Sequence, residues 1–219
     1  MKRQRRALLR FAGASLIGLG GALGAVQRLL AAGLEPVAPG VHRVKGAARI
    51  NGRPAEPGMP VGPGDTVDTD AGAEIIYVIG KDAYLQREKS SVSFAGEAAV
   101  DALRVITGKL LSVFGKGEKR ITTPTATIGV RGTGCYIEAE TASTYFCLCY
   151  GEVEVMPTAT PNAVHRYRTS YHDKPYEIGD TVQAAMKPAH VINHTDVELT
   201  LLESLCGRRP PFFGRDSYY

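Results

Sequence analysis

Cys135-Tyr136-Ile137-Glu138-Ala139-Glu140, Thr141-Ala142-Ser143 and Thr144-Tyr145-Phe146-Cys147-Leu148-Cys149-Tyr150 read as strand, turn and strand. Both arms carry aromatic and apolar residues that fit a pleated, half-buried surface, and the short polar middle suits a reversal. Outward from this hairpin, runs of similar character lie at 74–79, 103–107, 110–114, 126–130 and 152–155. Turn residues punctuate them at Asn51-Gly52, Pro57-Gly58, Pro63-Gly64-Asp65, Asp70-Ala71-Gly72, Gly80-Lys81-Asp82 and Gly115-Lys116-Gly117. Short strands between closely spaced turns predict an all-β fold, an antiparallel sandwich or β-roll. Residues 97–104 are the one stretch here whose apolar spacing suits a helix.

The whole chain is compatible with that reading. It has 219 residues, 44% of them hydrophobic and 22% charged, which suits a folded core and excludes general disorder. Glycine (25) and proline (13) are abundant without a triplet repeat, as expected for many turns. The net charge of +4 is concentrated at one end, because Lys2, Arg3, Arg5, Arg6, Arg10 and Arg28 precede the first acidic residue, Glu35. Without those six, 20 basic groups face 22 acidic ones, so no basic footprint for nucleic acid remains.

The N-terminus reads as an address. Five cationic residues precede 17 residues without an ionisable side chain, from Phe11 to Gln27, which is the pattern of an export signal over 1–32. Gly13, Gly18, Gly20, Gly21 and Gly24 weaken this run as a membrane helix, so membrane contact is expected only through the signal if it stays uncleaved. Gln4-Arg5-Arg6-Ala7-Leu8-Leu9-Arg10 resembles the twin-arginine signal, without the usual Ser or Thr before the pair. That resemblance implies export of an already folded chain to the periplasm or cell envelope.

Four blocks carry a second resemblance. Val61-Gly62-Pro63-Gly64-Asp65-Thr66-Val67-Asp68-Thr69, Gly72-Ala73-Glu74-Ile75, the run from Ile121 to Thr133, and Tyr150-Gly151-Glu152-Val153-Glu154-Val155 resemble the successive signatures of the FecR domain of iron-dicitrate transport regulators. The most specific is Thr123-Pro124-Thr125-Ala126-Thr127-Ile128-Gly129-Val130-Arg131-Gly132-Thr133. The resemblance implies a FecR-like β domain over 40–157, a non-catalytic binding or signalling module and a partner that is another envelope protein. Only ten residues precede the apolar run, too few for the cytoplasmic anti-sigma segment of those regulators. Arg131 is expected to pair with a carboxylate or backbone carbonyls inside the sheet edge.

Cys135, Cys147 and Cys149 are the unusual feature. Two residues apart in a strand, Cys147 and Cys149 leave the same face. With Thr141–Ser143 as the turn, Cys135 lies directly opposite Cys149, and a slip of one residue would move it to the other face. Three states are open: a disulfide from Cys135 to Cys149 or Cys147, a zinc or copper site completed by His172, His190 or His194, or buried free thiols. A metal-binding or redox protein is therefore the alternative to the binding module.

Beyond Pro157 the composition changes. A linker at 158–163 leads to an extension ending at 206, with strands expected at 165–171 and 176–186. Thr195-Asp196-Val197-Glu198 is a capping box that opens a short helix from Asp196 to Cys206, stopped by Gly207. A tail spans 207–219. No G-x-S-x-G, H-E-x-x-H or complete phosphate loop occurs, so an enzyme is not expected.

Overall fold

A computed structural model describes residues 35–96, 102–172 and 174–214. The expected export signal and residues 97–101 of the expected helix lie outside them, and the described end of that stretch, 102–104, is strand instead. No helix among the described residues is long and apolar enough to cross a membrane.

The fold is all-β with one C-terminal helix. Seven short strands come first: β1 (Gly40–Lys45), β2 (Ala48–Ile50), β3 (Arg53–Pro54), β4 (Thr66–Thr69), β5 (Glu74–Ile79), β6 (Asp82–Gln86) and β7 (Ser90–Phe94). Three long ones dominate the second half: β8 (Ala102–Val113), β10 (Ala126–Ala139) and β11 (Ser143–Pro157), with β9 (Glu118–Thr122) between the first two. β12 (His165–Thr169), β13 (Lys174–Gly179), β14 (Lys187–Pro188) and helix α1 (Asp196–Leu205) follow. Runs that look separate in sequence are thus continuous strands. Thr107 and Leu110 share β8 across Gly108, and Val130 and Cys135 share β10 across Gly132-Thr133-Gly134.

All 14 strands join one sheet, antiparallel except for the parallel pair β8 and β9. The sheet wraps around a core that includes Val67, Tyr77, Val92, Val105, Leu110, Ile121, Ile128, Ile137, Phe146 and Val155. The opposite face of β5, β6, β8, β10 and β11 carries a second apolar layer of Ile76, Val78, Leu85, Leu111, Tyr136 and Cys147. That layer would be left wet if the sheet stood alone. Helix α1 covers it with Leu199, Leu201, Leu202 and Leu205, each buried side chain contributing about 1.5–3 kcal/mol.

The helix begins where the capping box predicts. Thr195 Oγ1 accepts from Glu198 N, and the Glu198 carboxylate accepts from Thr195 N at 2.9 Å. Glu198 also receives Arg87 Nη2 at 2.7 Å, so it faces a charged neighbour and not the leucine layer. At the other end Tyr150 Oη and Arg208 Nε both donate to the buried Glu203, tying helix to sheet.

Two expectations need correction. The hairpin turn contains four residues, Glu140 to Ser143, closed by Glu140 N donating to Ser143 O, so Ala139 and not Glu140 faces Thr144. Cys135 therefore lies opposite Leu148, in the wrapped core, while Cys147 and Cys149 point to the helix-covered face. A disulfide from Cys135 to Cys149 or Cys147 would have to pass through the sheet, and all four cysteines are free. Arg131 pairs with Glu118, but on the exposed face rather than inside the edge.

Candidate metal centre

β12 and β13 lie end to end along the same side of β11, the first against Gly151–Val155 and the second against Ser143–Leu148. After β12 the chain leaves the sheet at 170–172. Opposite this gap β11 itself is irregular: Tyr150 faces Gly134 and Leu148 faces Cys135, leaving Cys149 as the extra residue of a bulge. The loop returns across the bulge, with His172 N donating to Cys149 O at 3.0 Å. His172 adopts φ +34, a conformation costly for a side-chain-bearing residue, and this backbone turns its ring under the helix.

His194 arrives from the other direction, one residue before the Thr195 cap. Its ring stacks on Tyr136 with centroids 4.7 Å apart. Cys147 Sγ, Cys149 Sγ and one nitrogen from each histidine lie within 4.8 Å of one another. Both cysteines have no exposed surface, and His172 and His194 are 4% and 5% exposed.

Hydrogen bonds outside the group engage one nitrogen of each ring. His172 Nε2 donates to Asp196 Oδ1 at 3.0 Å, and His194 Nδ1 donates to Ile192 O at 2.6 Å. The other two nitrogens, His172 Nδ1 and His194 Nε2, face each other across 3.1 Å. Such a pair is held either by a shared proton or by a metal ion between the rings. Cys147 Sγ is 3.8 Å from the same His172 Nδ1.

The two thiols are shifted in opposite directions. Cys147 is lowered to about 4, first by the hydrogen bond from Cys149 and further by His172 and His194, against the opposing effect of burial. Burial and the neighbouring Cys147 push Cys149 well up. Cys147 is thus the thiolate and Cys149 the thiol beside it, and holding both as thiolates would need a positive centre.

The donor spacing fits one. Metal–nitrogen and metal–sulfur bonds of about 2.0 and 2.3 Å place tetrahedral ligands about 3.3–3.8 Å apart. Two of the separations, 3.1 and 3.8 Å, stand just below and at the upper end of that range, and all four donors lie within 4.8 Å of one another, so a small contraction completes the shell. Two thiolates with two imidazoles form the donor set of closed zinc sites.

Of the predicted ligands, Cys147, Cys149, His172 and His194 come together, and Cys135 does not. His190 stays outside the group and offers its backbone carbonyl to Tyr145 Oη. Sequence reasoning missed Asp196, which is buried, accepts from both His172 and Tyr171 Oη, and begins α1 where the helix dipole favours a carboxylate. Its signal was present: an acid two residues after His194, assigned only to the cap. Asp196→Asn keeps an acceptor but loses the charge, and is expected to weaken metal binding about 10–100-fold in competition with a chromophoric chelator. Unchanged affinity would show that Asp196 does not tune the centre.

No family model matches the chain, and no curated protein does. Among solved structures, two crystal structures of a proposed anti-sigma factor from Parabacteroides distasonis are similar to it at 13% and 14% sequence identity. Each has a TM-score of 0.47, covering 57% of this chain and 59% of that chain. The match thus spans less than two thirds of those proteins' length.

Proposed function

We propose that this chain is a non-catalytic binding or signalling module of the bacterial envelope, FecR-like in its β domain, whose C-terminal extension is anchored by zinc. Cys147 and Cys149 on β11, His172 in the loop and His194 before α1 are the four ligands. The observation that carries the metal assignment is the gathering of two buried thiols and two buried imidazoles, with donor atoms within 4.8 Å of one another and the two histidine nitrogens 3.1 Å apart. The N-terminal arginine pair and the four sequence blocks support the envelope and the module.

Zinc here acts as a structural cross-link. The ligands come from three separate segments, so one ion holds sheet, loop and helix together, and its binding free energy becomes folding free energy. Four protein ligands complete a tetrahedral shell and leave no position for substrate. Cys147, His172 and Asp196 do stand in the order of a thiol nucleophile, base and carboxylate. The sulfur has no accessible surface, however, so no substrate carbonyl reaches it.

Metal analysis and thiol titration of the purified full chain test this reading together. The expected result is one zinc per chain with four titratable thiols after denaturation and chelation. A metal-free protein that has lost two thiols to a disulfide would overturn it.

A further inference from the structure

We propose that the outer edge of β12 is a docking site for an extended segment of a partner protein that carries two acidic residues flanking an apolar one. This goes beyond the metal centre and does not depend on it.

The exposed face of β9 to β12 is a ladder of alternating charge. Glu118, Arg131, Glu152 and Arg168 stand in register across the four strands, each beside the opposite sign. In the next row Glu154 on β11 faces Arg166 on β12, with Arg166 Nε 2.6 Å from the carboxylate. Arg168 pairs with Glu152 in the same way. Both rows therefore end in an arginine, at the strand whose second edge pairs with no other strand among the described residues.

Neighbouring chain covers the corresponding edge of β13 but stops short of β12. β14 pairs with Tyr176 and Glu177, and Ala189 N donates to Pro175 O. Beside the uncovered length lies a groove of 570 Å³ of mixed character, with Val164, Tyr167, Tyr176 and Met186 on its walls beside Arg166 and Lys174. The Tyr167 hydroxyl is buried there without a hydrogen-bond partner. A free strand edge, two cations two residues apart and a neighbouring groove that joins apolar walls to a further cation, Lys174, specify the occupant by chemistry: backbone pairing, acid–apolar–acid alternation and a side chain for the groove.

The molecule already contains one half of such a contact. Glu152-Val153-Glu154 of β11 meets Arg168-Tyr167-Arg166 on the inner edge of β12. Each guanidinium has five N–H donors, so binding one carboxylate leaves others for a second. The side chains of Arg166 and Arg168 are 71% and 76% exposed and reachable from solvent. A second copy is a poor occupant. Antiparallel pairing of two β12 strands about Tyr167 sets Arg166 of one against Arg168 of the other, the like-charge guard by which edges resist self-association.

Fluorescence anisotropy with the full chain tests the proposal, using labelled octapeptides that contain Glu-Val-Glu or Lys-Val-Lys between threonines. The acidic peptide is expected to bind at least about tenfold more tightly. The R166E/R168E variant should reverse that preference while keeping its metal content and far-ultraviolet circular dichroism. N-methylation at alternate amides of the acidic peptide should abolish binding, since a strand edge is read through its backbone. Equal binding of the two peptides, binding of neither, a preference that survives charge reversal, or full binding of the N-methylated peptide would each overturn it.

Discussion

The Cys147→Ser, Cys149→Ser double variant is expected to bind no zinc and to be about 4 kcal/mol less stable than the parent when free metal stands near 1,000 times its dissociation constant. Serine nearly preserves the shape, so that figure is the loss of the cross-link, to which two buried hydroxyls add their own cost. Chelation of the parent should produce the same shift, and the chelator should leave the double variant unchanged. Cys135→Ser is the matched control. It makes the same chemical change in a fully buried cysteine of the same sheet, but on the other face. It is expected to lose stability through a buried hydroxyl while retaining one zinc per chain. Denaturant unfolding with and without chelator measures all of these. A chelator effect that vanished in Cys135→Ser would place the metal on the wrong face for this account.

Gly134→Ala is expected to cost about 3 kcal/mol, at the upper end for an added core methyl, and to weaken zinc binding as well. A β-carbon at 134 would lie 2.4 Å from the Tyr150 ring. That ring cannot easily move aside, because its hydroxyl is bonded to buried Glu203 and its face packs against Phe212. Displacing Tyr150 also displaces the bulge that sets out Cys149. Gly129→Ala, five residues earlier on the same strand, is the contrast: its added carbon would meet nothing closer than 3.9 Å. It should change unfolding by less than about 1 kcal/mol. Equal effects at the two positions would refute the packing argument for Gly134.

Much of this was legible in the sequence, for reasons particular residues make plain. The capping box is a local code, and Thr195 and Glu198 bond as their spacing requires. The shared face of Cys147 and Cys149 follows from strand period alone. The position of Cys135 did not follow, because it depends on whether the hairpin loop holds three residues or four. Nothing in Glu140-Thr141-Ala142-Ser143 decides between those lengths, and a single residue exchanges the faces. His172 was a candidate only by residue type. Its arrival beside Cys149 depends on the break between β12 and β13, a long-range feature with no local signal. The strands from β1 to β4 are short and interrupted by turns, so periodicity gave little warning of them, whereas β5 spans 74–79 as its residues predict.

The central claim is that one ion is held by two cysteines and two histidines. Zinc-edge X-ray absorption on the purified full chain tests it most directly. Two sulfur neighbours at about 2.3 Å and two nitrogen neighbours at about 2.0–2.1 Å are predicted. A shell with three sulfurs, or one made only of nitrogen and oxygen, would contradict it.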